Sequence, residues 1–534
     1  MYLYINTKKM KNIKLNTIMN NLSLRVTKMF VVKLLACLML LAGCTKKFEE
    51  INTDPTRLAE LEPLDVRSMF PGTIVGCLVG TNYWASSLTA GLFAQQFAST
   101  QNNHSFQRYL VPNSMGNTLY RAWYLNAMAP LENIIASTEG KDQTLNAVAR
   151  IWKVFVMHRV TDTWGPVPYS KIGESGRIVE FDSQKDIYYA FFQELDKANT
   201  ALKSNISKPS FGDKDLIFKG DNAKWIKFGN SLRLRLALRI SKVEPAKAKE
   251  EAEKAVAGGV MAELGDNAFM AVSFNIPNGM NYQTGWNEQR MSSNFESLFV
   301  GWNDPRMSKY FEPAVSDGKF RSVRCGMTPA QQNIAQNRYD NTSNVSLKLQ
   351  PDNMTTNPQT IMYTAEVYLL RAEGAVNGWN MGGTAKDLYE KGIDMSMRTW
   401  GITDATVISN YLNGTTLPVA INDYFNTPAL TNIPVKFSTE PEKQREQIGT
   451  QKWIALFPEP HEAWAEMRRS GYPKMYPLIN SDNADVPKEK MIRRLLFLTA
   501  EYTDNPVAVK NAITLLGAGG DKESTPLWWD KNPF

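Results

Sequence analysis

The chain has 534 residues, with 60 Lys and Arg against 53 Asp and Glu, but seven of the basic side chains and none of the acidic ones lie in residues 1–43. From residue 44 onward the charges balance at 53 and 53, so nothing in the net charge argues for nucleic acid or an anionic surface as partner. Four cysteines are too few for a disulfide framework, and three histidines, His104, His158 and His461, leave little supply for histidine-based catalysis or metal binding.

The first element in chain order is a targeting segment. Arg25, Lys28 and Lys33 precede an apolar run from Leu34 to Leu41, which ends in the small residues Ala42-Gly43 and then Cys44. Basic, then apolar, then small is the order of a cleaved signal, and the run is too short to span a bilayer. We read residues 1–43 as a lipoprotein signal peptide and Cys44 as the lipidated N-terminus it leaves. The polar, turn-rich stretch after Cys44, through Asn52-Thr53-Asp54-Pro55, reads as a tether over 44–60. Cys77 and Cys325 are then the cysteines left, to pair or to stay as free thiols.

From Leu61 the pattern is mainly helical. Val148, Ile151, Trp152, Phe155, Val156 and Val160 predict a helix over 146–163, and Ile187, Phe191, Leu195 and Leu202 predict one over 186–203 capped by Asp182 or Ser183. Further helices are predicted over 222–240, 246–257, 364–377, 384–400 and 446–469. Trp225-x-x-Phe228-Gly229-x-x-Leu232 matches the first helix of a tetratricopeptide unit, and Ala248-x-x-x-Ala252-x-x-Ala255 and Ala385-x-x-x-Tyr389-x-x-Gly392 echo the second. Such degenerate repeats need one another to bury their faces. The fold class is therefore a mainly α, tetratricopeptide-like helical-pair scaffold. It forms a single domain over 61–534, interrupted by long irregular insertions at 260–360 and 413–443.

Catalytic motifs are sparse. His461-Glu462 begins like a zinc-protease motif, but the fourth position after His461 is Ala465, and His158 sits on an apolar helix as a core histidine does. Gly517-Ala518-Gly519-Gly520 lacks the strand and helix that a dinucleotide site requires, and no cofactor is expected. A glycosidase needs only two carboxylates, so composition leaves that class open while favouring a binding protein.

Several segments share an order and spacing with a known family. They are Cys44 to Pro55, Asp162 to Tyr169, Trp225 to Ile240, Asn303 to Met307, Glu366 to Gly374, Gln451 to Leu456, and Glu462 to Pro473. Together they resemble the SusD/RagB-type outer-membrane lipoproteins of the Bacteroidota, over nearly the whole chain after Cys44. The resemblance implies a non-enzymatic protein, lipid-anchored in the outer membrane and facing the cell exterior. It would sit as a lid on a SusC-like TonB-dependent barrel, capture an oligosaccharide or peptide and help deliver it. Lys46-Lys47 before Glu49-Glu50 departs from the acidic stretch linked to surface export. The competing readings are a helical-repeat adaptor for surface protein assembly and a surface glycosidase or peptidase.

Within the shared segments, Gly165-Pro166 should stop a helix behind Trp164. Arg233, Arg235 and Arg239 should brace adjacent helices, and Arg468-Arg469 with Glu462 and Glu466 should form an ion-paired face. For the ligand, a sugar wants aromatic faces beside amides. The stretch 275–290, a loop by composition, supplies Tyr282, Trp286, Asn287 and Arg290 among further amides. A second candidate is Tyr83-Trp84, with Gln95, Gln96 and the polar run containing Asn102 further on. The amide-rich loop fits a neutral glycan better than a peptide, whereas Trp84 and Trp286 would also suit loops pinned to the core.

Overall fold

A computed structural model describes residues 63–532 apart from 80, 103 and 173–177. The expectations for the signal peptide, Cys44 and the 44–60 tether lie outside the described residues. Helix α1 spans Pro63–Leu78 and α2 Thr81–Ser86, and a short strand β1, Phe97–Ser99, follows. Helices α3 Ala129–Thr138, α4 Gln143–Trp164, α5 Gln184–Ser204, α6 Asn222–Arg239 and α7 Pro245–Ala257 form the first run of packed pairs. The three longest helices, α4, α5 and α6, each start at a side-chain cap: Asp142 accepts from the amides of Thr144 and Leu145, Ser183 from Asp186, and Asp221 from Ala223 and Lys224. Ser183 rather than Asp182 is therefore the α5 cap; the Asp182 carboxylate instead takes the Tyr169 and Ser170 amides at 2.9 and 2.8 Å.

The middle of the chain holds more regular structure than composition suggests. Strand β2 Ala268–Met270 pairs antiparallel with β4 Gln359–Met362, and β3 Gln289–Met291 with β1. Helices α8 Gly279–Thr284 and α9 Ser293–Trp302 fall between them. The stretch 275–290 is thus a capped helix, a turn and a strand, not a loop. Its three-residue strand is buried on both faces and so shows no alternation in sequence.

The scaffold resumes with α10 Thr364–Val376, α11 Ala385–Thr399, α12 Pro441–Ala455 and α13 Pro460–Ser470. The helix expected over 446–469 is two helices. Pro458 disfavours helical backbone at Phe457 and lacks an amide of its own, and Pro460 starts the next helix at a position where no amide is needed.

The repeat echoes sit where helices approach closest. Trp225, Phe228, Leu232, Ala248, Ala252 and Ala255 are all fully buried. A Cβ on Gly229 would lie 2.8 Å from Asn199 Oδ1, and one on Gly392 would lie 2.6 Å from Leu369 Cγ, so α5 meets α6 and α10 meets α11 at distances only glycine permits. The fold is mainly α and paired, as the periodicity implies, and residues 62–534 cluster as one compact unit.

The shared segments converge on buried ion pairs. Arg235 forks onto Glu366 with two contacts of 2.7 Å, Arg239 contacts Glu462 at 2.6 Å, and Arg233 meets Glu251 and Asp196. Arg469 joins Glu373 and Glu466, and Lys452 reaches Glu466 at 2.6 Å. Arg306 holds Asp304 at 2.6 Å and Gln451 at 2.8 Å. Burial raises the Glu466 carboxyl, yet Arg469 and Lys452 outweigh it and hold the group well below the usual carboxylate range. Trp164 is buried, its Nε1 donating to the Leu496 carbonyl at 3.1 Å, and Gly165 ends α4 with φ 89°. Cys77 and Cys325 are both buried, and no disulfide joins them.

Candidate ligand-binding surface

The two ligand-binding candidates, distant in sequence, meet in one ladder. β1 and β3 place Phe97 opposite Met291, Ala98 opposite Arg290 and Ser99 opposite Gln289. His104 after β1 therefore meets Glu288 before β3. His104 Nε2 lies 3.3 Å from Glu288 Oε1, His104 Nδ1 lies 3.1 Å from Ser99 Oγ, and Gln283 Nε2 donates to Glu288 at 3.1 Å.

Most of the amides in 275–290 are spent on the fold. Asn278 caps α8 and donates to the carbonyls of Asn357 and Pro358, while Asn281 donates to those of Lys348 and Gln350. Thr284 Oγ1 donates to the Leu349 carbonyl at 2.6 Å. These contacts clamp α8 against 347–358, and Tyr282 on α8 and Trp286 in the turn beyond it face outward. Tyr282 is 51% and Trp286 49% exposed, their rings meeting edge to face with centroids 5.9 Å apart.

Asn287 holds a left-handed backbone with φ 58°, which an asparagine tolerates in a tight turn. Its Oδ1 accepts from Arg290 Nη2 and, at 3.2 Å, from Asn344 Nδ2. Arg290 itself is buried, and burial brings its guanidinium down to about 10. It faces the ring of Tyr339, 5.9 Å from the centroid, and Tyr339 is 53% exposed. The Asn287–Arg290 pair thus connects the Tyr282–Trp286 rings to a third exposed ring that sequence reasoning passed over, because Tyr339 sits in an unpatterned polar stretch.

The remaining candidates differ in placement. Asn102 is exposed, donating to Asn333 Oδ1 at 3.3 Å. Tyr83 does not present a ring: it is buried, its hydroxyl donates to the Pro458 carbonyl at 2.9 Å, and a Cβ on Gly279 would touch its own Cβ at 2.7 Å. Its role is to seat α8. Trp84 is half-buried on α2. The surface is open; cavities of about 510, 530 and 340 Å³ lie away from its rings, although Gln95 of the second candidate stretch lines the last of them. An open aromatic surface suits an extended ligand better than enclosure would. Among the described residues no group of three or more His, Cys, Asp or Glu side chains could hold a metal ion, and no helix is long and apolar enough to cross a membrane.

Residues 75–530 match the family model described as Susd and RagB outer membrane lipoprotein. The chain belongs to the SusD-like family. A chitin-binding SusD homolog from Flavobacterium johnsoniae is 33% identical, with a TM-score of 0.81 over 88% of this chain and 99% of that one. A SusD-like protein from Bacteroides thetaiotaomicron is 32% identical, with a TM-score of 0.78 over the same shares. A structure described as a chitin-binding protein is 28% identical, with a TM-score of 0.74 over 88% of this chain and 100% of that chain. No curated protein matches the chain. In this SusD-like chain the shared segments are the buried ion pairs and tryptophans of the scaffold, and the exposed rings lie outside them.

Proposed function

We propose that this protein is a lipid-anchored outer-membrane binding protein. It captures an oligosaccharide on the Tyr282–Trp286–Tyr339 surface and passes it to a partner TonB-dependent barrel. The observation that carries the reading is the pair of half-exposed rings, Tyr282 on α8 and Trp286 in the turn after it, with α8 clamped from beneath. Sugar rings offer apolar faces for such a platform and hydroxyls for the Asn287 amide beside it. Two SusD-like relatives described as chitin-binding make chito-oligosaccharides the first ligands to try.

Calorimetry against chito-oligosaccharides, other neutral glycans and peptides tests the reading. Truncating Trp286 or Tyr282 to alanine should weaken glycan binding by about 1–3 kcal/mol, the scale of one lost aromatic contact, with an unchanged melting temperature. Undiminished affinity in both variants would place the platform elsewhere, and turnover of any panel member would replace binding by catalysis. The anchor is checked separately: lipid label should appear on the wild type and vanish, with membrane attachment, in Cys44→Ser.

A further inference from the structure

Away from the aromatic surface, the ends of α6, α10 and α13 and the start of α12 enclose a cavity of about 530 Å³, within the size range of small-molecule sites. Its walls mix rings, cations and the carboxylates of Glu373 and Glu442. Trp379 and Tyr472 supply the rings, and the Tyr472 ring lies close against α12 because position 449 is glycine; a Cβ there would fall 2.5 Å from that of Tyr472. The lining cations are Lys242, Arg445 and Arg469.

These cations differ in how well they are matched. Arg469 is neutralised by Glu373 and Glu466, which Lys452 also serves. Among the described residues Arg445 pairs with Glu442 alone, at 3.3 Å, and Glu442 also accepts from the Tyr472 hydroxyl. Lys242 has neutral acceptors alone, the Ser470 carbonyl at 3.4 Å and Asn532 Oδ1, and no carboxylate within ion-pair distance among the described residues. Partial desolvation at the cavity wall and the adjacent Arg469 guanidinium depress the basicity of the Lys242 ammonium, outweighing the more distant Glu373 and Glu466 carboxylates. A carboxylate from outside would answer that excess of positive charge, and the Trp379 and Tyr472 rings would take an apolar ring face beside it.

We propose that this cavity is a second ligand site, for a single sugar ring carrying a carboxylate, with the acid directed at Lys242 and Arg445 and the ring against Trp379 and Tyr472. Glu442 and the Asn377 amide at the rim are the acceptors and donors for its hydroxyls. The inference is independent of the aromatic surface, since the two share no residue.

Calorimetric titration with galacturonate, galactose and acetate tests it. Galacturonate should bind, with galactose and acetate each weaker by on the order of tenfold, because each lacks half of the recognition. Lys242→Met and Arg445→Gln should each weaken galacturonate by a similar factor while leaving glycan binding at the aromatic surface untouched. Both side chains face solvent, so these variants should fold even if Trp379→Ala does not. Galacturonate binding no tighter than galactose, or unchanged in both charge variants, overturns the proposal.

Discussion

Glu366→Ala should destabilise the protein by about 3–5 kcal/mol, the cost of leaving a buried charge without its partner. The Glu366 carboxylate takes two parallel contacts of 2.7 Å from Arg235, and both side chains are fully buried. Without it, the nearest carboxylate to the Arg235 Nε is Glu462 at 3.5 Å, which is already engaged by Arg239. Burial raises the Glu366 carboxyl, and Arg235 opposes that shift, so each charge is tolerated only because of the other. Replacing both partners, as Arg235→Met with Glu366→Leu, should cost much less than Glu366→Ala alone, because no orphaned charge remains. Urea denaturation of the wild type and the two variants decides the matter. A double variant as unstable as the single one would mean that shape, not charge, is what the pair contributes.

That pair also shows what a sequence of this kind reveals. Arg235 and Glu366 lie in segments recognisable as family landmarks, as do Arg306, Trp453 and Arg469. In the structure all five are buried, bracing helices that are far apart in the chain. Their types are dictated by exact partners across the core, so they keep a readable order. The long helices are legible for a related reason, since apolar residues at helical spacing and caps such as Ser183 are local signals.

The ligand surface obeys neither constraint. Asn278, Asn281 and Gln283 read as sugar-binding amides by composition, but all three are buried, and Asn278 and Asn281 hold the loop to residues 347–358. Which amide points inward depends on a chain segment about 70 residues away, and no local pattern encodes it. Tyr83 reads as exposed for the same reason and is instead the seat of α8. Conversely, Tyr339 is exposed beside Arg290 only because the 339–345 segment returns to β3, where Asn344 bridges Arg290. The meeting of the two candidate regions through β1 and β3 rests on six residues whose pairing no periodicity announces.

Trp453→Ala should reach both the fold and the ligand. Trp453 is fully buried on α12, stacked on Phe295 with centroids 4.2 Å apart, and its Nε1 donates to the Ala94 carbonyl at 2.9 Å. Gln96 Nε2 returns a contact to the Trp453 carbonyl at 3.3 Å. Ala94 and Gln96 lead directly into β1, and Phe295 lies in α9 just after β3, so one side chain backs both strands of the ladder that joins the two binding segments. Emptying a site of that size costs about 3–5 kcal/mol through lost contacts and the residual cavity. The indole hydrogen bond adds an unpaired carbonyl at Ala94. Because β1 and β3 lose their common backing, glycan affinity should fall as well, although Trp453 is too deep to touch a ligand. Denaturation and calorimetry on the same preparation separate the effects, with Trp453→Phe restoring the stacking but not the hydrogen bond. If Trp453→Ala loses stability and binds glycan as tightly as the wild type, the ladder does not position the aromatic rings, and Trp286 with Tyr282 would have to be held by α8 and its clamp alone.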